Sequence, residues 1–207
     1  MNLGAVLFFK NKSQYIMSEP GMEKKASTTK KLNPYITPAQ AIVKYGSSLT
    51  SFEQSEILEY QYIYYCGNKV ERQKKVQGIP RGELNCGYDD ERGDLKLVRH
   101  DHLEYRFEIL SLIGEGAFGR VVKAYDHKKS MSVALKIIRN KKKFHHQAMI
   151  EVKILEMLMK KKKKSQGRKT NVVRIYGYFY FRNHLCITFE LLGLNLYELC
   201  KRNNFVG

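Results

Sequence analysis

The feature that most constrains the fold is a glycine motif set between stretches that favour β-structure. Three glycines follow the spacing G-x-G-x-x-G: Gly114, Gly116 and Gly119. Residues 105–113 and 120–125 on either side predict two strands, and 133–138 predicts a third that carries Lys136. Glycines lack a Cβ, so backbone N–H groups can approach anionic oxygens closely, and a lysine on a neighbouring strand supplies a fixed positive charge. The layout predicts a hairpin that covers phosphates.

Two other nucleotide-binding patterns also use glycine-rich loops. A dinucleotide-binding fingerprint requires a helix directly after the glycines, whereas 120–125 predicts a strand followed by the turn-like residues 126–129. A Walker-type loop requires Gly-Lys and then Ser or Thr, which this chain lacks after Gly119. The string G-x-G-x-x-G-x-V, followed by Val-Ala-Leu-Lys ending at Lys136, matches the protein-kinase signature. A glycine-rich turn of purely structural meaning is the remaining alternative.

The first predicted strand has a clear facial pattern. We expect its apolar side chains to share one side: Phe107, Ile109 and Leu112.

A helix predicted over 147–159 provides a second test of the kinase interpretation. Glu151 shares one face of this helix with apolar residues at i+3, i+4 and i+7: Ile154, Leu155 and Leu158. A carboxylate on an apolar face is costly unless a cation meets it. We therefore predict an ion pair between Glu151 and Lys136 that holds the ammonium over the phosphates. The alternative is an acid that lies at the helix edge by chance.

The rest of the C-terminal half continues the mixed pattern. Residues 172–179 and 185–189 predict two strands joined by a turn at 182–184, and the strand pattern breaks at 191–193. Asn195 begins a predicted helix that runs through Arg202.

The N-terminal half predicts short helices and loops after a polar lead-in over residues 1–31. Thr37-Pro38-Ala39-Gln40 is a capping box that predicts a helix from Pro38 to Tyr45, and Thr50 predicts a second helix to Glu59. The tyrosine-rich stretch 60–65 should pack against the following domain or a partner. Glycines and a proline break up 67–92 into loops, and 95–98 predicts a short strand.

The net charge and the spacing of the cysteines indicate which partners and which cellular compartment this sequence favours. The chain has 37 Lys+Arg against 20 Asp+Glu, a formal charge of +17, which favours acidic partners. Aromatic residues do not interleave with the basic ones as in nucleic-acid modules, so nucleic acid is not favoured as a partner. The lysine run 160–164 is either solvated, an import signal or an acidic-partner patch. Four widely spaced cysteines predict reduced thiols and no metal site, and no apolar run reaches membrane length. We expect a soluble protein of the cytoplasm or nucleus.

From about residue 32 onward the sequence resembles the dual-specificity tyrosine-regulated kinases, the DYRK family. The resemblance is carried by these strings: Gly-Tyr-Asp-Asp (87–90), His-Asp-His (100–102), Val-Lys-Ala-Tyr-Asp-His (122–127), Phe-Arg-Asn-His (181–184), Phe-Glu-Leu-Leu (189–192) and Asn-Leu-Tyr-Glu-Leu (195–199). It implies an α+β fold: a kinase small lobe with a five-stranded antiparallel sheet and one long helix. Residues 105–207 would form the small lobe and hinge. Residues 32–104 would form the accessory segment of the family's second class, which helps the nascent kinase phosphorylate its own tyrosine.

The resemblance also implies an ATP site, position by position. The residues expected to cover the phosphates and the adenine edge are Ile113, Gly114, Glu115, Gly116, Ala117, Phe118, Gly119, Arg120 and Val121. Ala134 would pack on adenine, and Phe189 would control the back pocket. Glu190 and Leu192 would offer backbone hydrogen bonds at the hinge, and Asn195 would lie near the ribose. Lys136 and Glu151 would be the catalytic pair.

One departure from the family pattern bears on activity. Phosphoryl transfer needs a catalytic aspartate and two magnesium ligands, found in the motifs H-x-D-x-x-x-x-N and D-F-G. Neither string occurs in this sequence, so we expect the large lobe and the Mg²⁺ ligands to be absent and the chain alone to be inactive. Three interpretations stay open: part of a kinase with protein substrates, a non-catalytic short form that competes for partners, and a binder of nucleic acid or acidic surfaces.

Overall fold

The computed structural model describes residues 35–164 and 171–205, with the side chains of 161–164 outside the description. The predicted lead-in, residues 1–31, lies outside the described residues. So do the side chains of four of the five lysines in the run 160–164.

One antiparallel sheet dominates the described part of the chain. Its strand order is β1-β2-β3-β4-β6-β5. The six strands are β1 His102–Leu103, β2 Phe107–Gly116, β3 Gly119–Asp126, β4 Met131–Ile138, β5 Ile175–Phe181 and β6 His184–Glu190. The five predicted strands are confirmed. The two-residue β1 is an addition that the sequence did not predict, because two residues carry no measurable periodicity.

The described helices are mostly short and well capped. They are α1 Pro38–Tyr45, α2 Ser51–Glu56, α3 Glu83–Cys86, α4 Lys142–Lys164 and α5 Leu196–Arg202. Thr37, Thr50 and Asn195 each form a capping box, which confirms the three predicted helix starts. The second helix ends in a 3₁₀ turn, Ile57–Glu59, and α3 is a single turn with left-handed φ angles. None of the helices in the described ranges is long and apolar enough to cross a membrane.

Two local predictions need correction. The predicted strand over 95–98 is wrong, because the structure has only an isolated bridge between Leu95 and Asp89 there. Lys96 instead donates from its backbone N–H to the carbonyl of Tyr88, within a loop. The helix predicted over 147–159 extends at both ends to Lys142 and Lys164.

The first long strand is irregular, and the irregularity decides where Leu112 lies. Register shifts occur between Ile109 and Ser111 and between Leu112 and Gly114. A bulge adds one residue and so reverses the alternation beyond it. Leu112 therefore opposes Val122 on the same face as Ile109, as predicted. Its side chain is nevertheless 51% exposed, where it lines an open cleft.

Each face of the sheet covers its own apolar cluster. The outer cluster joins the sheet to the N-terminal segment: Tyr88, Leu95, Leu103, Phe107, Ile109, Val122, Ala124, Val133, Leu135, Ile137, Phe179, Phe181 and Cys186. The inner cluster joins the sheet to α4: Ile138, Ala148, Val152, Met159, Ile175, Leu185, Ile187 and Phe189. The side chain of Leu155 packs against this inner cluster as well.

The tyrosine-rich stretch 60–65 packs against the chain that follows it. Of the two predicted alternatives, the following domain or a partner, the structure shows the first. Tyr60 lies edge-on to Tyr105, with ring centroids 4.7 Å apart. The Tyr65 hydroxyl donates a 2.6 Å hydrogen bond to the carbonyl of His100. Tyr62 remains 42% exposed.

A polar joint connects the N-terminal segment to the β5–β6 turn. The Arg182 guanidinium donates to both Glu56 carboxylate oxygens, at 3.0 and 2.8 Å, and lies 3.9 Å from the centre of the Tyr88 ring. The Asn85 side-chain amide donates to the carbonyl of Arg182, and Asn183 donates back to Asn85. The Arg182 side chain is only 7% exposed, so this ion pair is a buried one.

Candidate nucleotide-binding site

The predicted ion pair between strand and helix is present. Lys136 Nζ lies 3.0 Å from Glu151 Oε1 and 2.8 Å from Glu151 Oε2. β4 carries the lysine and α4 carries the glutamate. The carboxylate thus holds the ammonium with both oxygens, which fixes a cation beside the sheet.

The reason given for this pair needs a correction. The sequence predicts Glu151 on a buried apolar face, but its side chain is 42% exposed and that of Lys136 is 26% exposed. Two of its predicted neighbours point to solvent, with Ile154 48% and Leu158 37% exposed. The stripe of α4 that packs on the sheet is instead Ala148, Val152, the partly buried Leu155 and Met159, so Glu151 sits at its edge.

Strand register brings several of the expected site residues onto one side of the sheet. Val121 opposes Lys136, and Ala134 opposes Phe189. Directly opposed residues of antiparallel strands share a face, and so do residues two apart in one strand. Val121, Ala134, Lys136 and Phe189 therefore all lie on the inner face, which α4 also covers. Ala134 and the 9% exposed Phe189 contact the inner cluster.

The glycines of the motif serve different physical needs. Gly119 has φ +139°, and a Cβ there would overlap the carbonyl oxygen of Ile137, so the hairpin requires glycine at this position. A Cβ at Gly116 would meet nothing within 4 Å. A Cβ at Gly114 would make an ordinary 3.6 Å contact with Val121. The open space at Gly116 is where another molecule can approach the backbone most closely.

The hairpin tip is held by Arg139 and by the first turn of α4. Arg139 donates from Nη1 to the carbonyl of Ala117 at 3.0 Å and from its backbone N–H to the carbonyl of Phe118 at 2.9 Å. The same guanidinium donates to both oxygens of Asp94, at 3.0 and 2.7 Å. Phe118 lies edge-on to Phe144 in the first turn of α4, with centroids 5.5 Å apart.

Two expected site residues turn their side chains away from the inner face. Arg120 opposes Ile137 of the outer cluster and therefore points outward. Its guanidinium contacts Glu115 at 3.3 Å and Asp90 at 3.2 Å, and it donates to the carbonyl of Leu95. Glu115 and Arg120 can face a ligand on the inner side only through their backbone.

Electrostatics reinforce these outer contacts. Burial works to raise the pKa of Asp90, but hydrogen bonds from the backbone of Asp94 and Arg92, with the charge of Arg120, more than offset it and lower the pKa. The hydrogen bonds to Asp94 raise the pKa of the Arg139 guanidinium. Both groups remain charged at neutral pH.

The segment after β6 presents its expected site residues openly. Leu192 is 64% exposed, and the backbone over 191–195 has no regular structure. Two groups of Glu190 already have partners within the chain. Its backbone N–H donates to the carbonyl of Arg174, and its carboxylate accepts from the N–H of Arg174. Asn195 Oδ1 accepts from the N–H of Glu198 at 2.8 Å, so this side chain caps α5. Ile113, on the opposite border, is 50% exposed.

Sequence reasoning missed Asp94, Arg139 and Phe144 as residues that hold the hairpin. The Gly-Tyr-Asp-Asp string was noted only as a family resemblance, although its second aspartate turns the loop through bonds from the N–H groups of Arg92 and Asp94. Periodicity could not have found the Asp94–Arg139 pair, because it joins a loop to a strand end 45 residues away.

No group of three or more metal-ligating side chains lies beside this hairpin in the described parts of the chain. Within residues 35–164 and 171–205, three metal-ligating side chains converge only at Glu53, Asp101 and His102. The Lys75 ammonium lies among them, 3.1 Å from oxygens of Glu53 and Asp101. That cluster is a buried ion-pair network, so it does not fit a Mg²⁺ that accompanies ATP.

Comparisons with known proteins give matches to protein kinases. The family model described as "Protein kinase domain" matches residues 107–206. "Dual specificity tyrosine-phosphorylation-regulated kinase 4" of Homo sapiens is 48% identical over 189 residues, 91% of this chain and 35% of that protein. "Dual specificity tyrosine-phosphorylation-regulated kinase mbk-2" of Caenorhabditis elegans is 48% identical over 82% of this chain and 20% of the relative. "Probable serine/threonine-protein kinase dyrk2" of Dictyostelium discoideum is 49% identical over 83% of this chain and 18% of the relative. The chain thus spans about a third or less of the length of these relatives.

Proposed function

The chain belongs to the dual-specificity tyrosine-phosphorylation-regulated kinases, and we propose that it binds ATP between the glycine hairpin and the inner face of its sheet. In a longer protein of this family, the same unit would support ATP-dependent phosphorylation of serine and threonine in protein substrates and of the kinase's own tyrosine. The observation that carries the proposal is the two-oxygen contact between Glu151 and Lys136, on the face shared with Val121, Ala134 and Phe189.

Each inner-face residue has a proposed part in binding. The Lys136 ammonium, anchored by Glu151, would neutralise phosphate oxygens beneath the hairpin, and Gly116 would let them approach the backbone. Ala134 and Val121 would pack on the adenine ring, with Phe189 at its inner end. Glu190 and Leu192 would offer backbone groups to the adenine edge, and Asn195 would lie near the ribose.

We further propose that these 207 residues do not transfer the phosphoryl group by themselves. Magnesium, when bound with ATP, neutralises charge that develops on the transferring phosphate. Its ligands and the catalytic aspartate come from motifs that this sequence does not contain. Without them, the chain supplies binding and orientation of ATP but no group that accepts the substrate's proton.

A binding titration with a fluorescent ATP analogue tests the proposal. We expect Lys136→Met to weaken the binding of the analogue at least tenfold, because the phosphates lose their fixed cation. Lys153→Met is the matched control, since Lys153 is an exposed lysine on α4. Equal affinity of Lys136→Met and wild type would contradict the ATP site. ATP-dependent phosphorylation by the pure chain, lost in Lys136→Met, would contradict the absence of transfer.

A non-catalytic binding module is a second candidate function. It is favoured by the apolar side chains that the segment after β6 exposes to between 45% and 79%: Leu192, Leu194, Leu196 and Leu199. In this role the chain would compete for the partners of a longer kinase. Addition of the pure chain to such a kinase would then lower substrate phosphorylation, and Leu196→Ser with Leu199→Ser would abolish this effect. Undiminished phosphorylation would exclude competition.

We propose that residues 32–104 act as the family's accessory segment. We also propose that the protein works in the cytoplasm or nucleus. Support for the first comes from the buried contacts of this segment with the sheet, including the Arg182 joint. Support for the second comes from four unpaired cysteines, two of them fully buried. Fluorescence microscopy of the tagged chain checks the location.

A further inference from the structure

We propose that Asp94 and Arg139 are positioning residues that preset the glycine hairpin for the phosphates of ATP. This inference rests on the proposed ATP site and adds a contribution from outside the matched kinase domain, which begins at residue 107. The acidic loop, residues 89–94, would act on the nucleotide without touching it, through the guanidinium of Arg139.

The two residues form a nearly closed unit. The Asp94 side chain is 1% exposed and that of Arg139 is 9% exposed. Nε and Nη2 of the arginine bind the two carboxylate oxygens in a fork, which leaves Nη1 to donate to the carbonyl of Ala117. A planar fork held in this way has one orientation, so the third hydrogen bond is directed at a fixed point. Lysine could supply the charge but not this geometry.

The pair lies on the outer side of the sheet. Ile137 belongs to the outer cluster and Ile138 to the inner cluster, so alternation along the strand directs the Arg139 side chain outward. Asp94 immediately precedes Leu95, another member of the outer cluster. Lys136 faces the opposite, inner side. Arg139 therefore binds the hairpin tip from the side of the sheet opposite to the proposed phosphate site.

Holding a carbonyl outward has a direct effect on the opposite face. The described peptide bonds are all trans, and in a trans peptide the C=O and N–H point in opposite directions. Because Arg139 holds the Ala117 carbonyl on the outer side, the Phe118 N–H in the same peptide is directed toward the inner side. If this peptide turned over, its carbonyl oxygen would face the phosphates and repel them. The clamp therefore favours the orientation that donates to an anion.

Neighbouring contacts keep the acidic loop in place for this task. Asn140 donates from its side chain to Asp89 Oδ2 and from its backbone N–H to the carbonyl of Gly93. Asp90 joins the same loop to Arg120, which lies next to the tip of the hairpin. Loop and strand end are thus fastened on both sides of the Asp94–Arg139 pair.

The test compares affinities for ATP and for adenosine in the full chain. Adenosine has no phosphates, so loss of the clamp should leave its affinity within twofold while ATP affinity falls about tenfold. Asp94→Asn removes the charge at nearly constant shape, and Arg139→Lys keeps the charge but removes the fork. Glu91→Gln, an exposed acid of the same loop, is the matched control and should bind both ligands as wild type does.

Equal losses of ATP and adenosine affinity in Asp94→Asn would indicate general damage and overturn the proposal, as would unchanged ATP affinity. A second measurement does not depend on the ATP site. Amide exchange over residues 114–119, without nucleotide, should be at least tenfold faster in both variants than in Glu91→Gln. Unchanged exchange would also overturn the clamp. If wild type bound neither ligand but exchange still rose, the ATP site would fail and the clamp would stand.

Discussion

Arg182 offers the sharpest test of whether the N-terminal segment and the sheet form one folding unit. Replacement by leucine removes a buried guanidinium but keeps an apolar stem near the Tyr88 ring. It leaves the Glu56 carboxylate, 10% exposed, without the partner that binds both its oxygens. Breaking such a buried pair costs about 3–5 kcal/mol, since the remaining charge is uncompensated. Loss of the cation–π contact acts in the same direction.

Urea unfolding followed by circular dichroism measures this cost. At a slope of about 2 kcal/mol per molar urea, a loss of about 4 kcal/mol moves the midpoint by roughly 2 M. Helical and aromatic signals should shift together, because the joint connects both parts. Arg202→Leu, at an exposed arginine in α5, is the control and should shift the midpoint negligibly. If Arg182→Leu does not fold, Arg182→Lys gives a milder version.

A double-mutant cycle isolates the pair itself. Glu56→Gln and Arg182→Leu are combined, and the coupling free energy should exceed about 2 kcal/mol, because each change alone removes one charge of the ion pair. A loss below about 1 kcal/mol in Arg182→Leu, or separate transitions for the two signals, would refute the view that the joint unites the two parts.

Three further predictions follow from single residues. Gly119→Ala should destabilise the protein by roughly 2–4 kcal/mol in thermal unfolding, whereas Gly116→Ala should be nearly neutral, and equal effects would contradict the hairpin geometry. Burial works to raise the pKa of Glu53, but the hydrogen bond and charge of His102, with nearby cations, hold it well below its ordinary value. The contribution of Glu53 to the free energy of unfolding is therefore complete above about pH 4.5 and falls by about 1.4 kcal/mol for each pH unit below that. The difference in stability between wild type and Glu53→Gln should shrink accordingly as the pH is lowered. The exposed Cys200 should react first with a thiol reagent at pH 8, and loss of this phase in Cys200→Ser checks the assignment.

Local signals in the sequence were sufficient for most elements of the fold. Capping residues such as Thr37 and Thr50 located helix starts because their side chains bind the first free N–H groups, an effect confined to four residues. The Lys136–Glu151 pair was predicted from chemistry, although burial was the wrong reason for it. Glu151 lies at the edge of the helix stripe, and the one-face argument could not resolve an edge from a centre.

Long-range polar contacts could not be predicted in the same way. Arg182 lies in a predicted turn and in a string of the family resemblance, yet it forms a buried pair with Glu56, 126 residues away in the sequence. Asp94 and Arg139 are separated by 45 residues. Such pairs have no periodic pattern in the sequence, because each is a single contact between two charged residues that the tertiary fold brings together.

The outer cluster has a practical consequence for recombinant fragments. Tyr88, Leu95 and Leu103 contribute to it from before the start of the matched kinase domain at residue 107. Burial of one such side chain contributes about 1.5–3 kcal/mol to the free energy of unfolding. A fragment cut at residue 107 would therefore be much less stable and would expose apolar surface to water. Expression trials should begin upstream of α1, so that all three residues are retained.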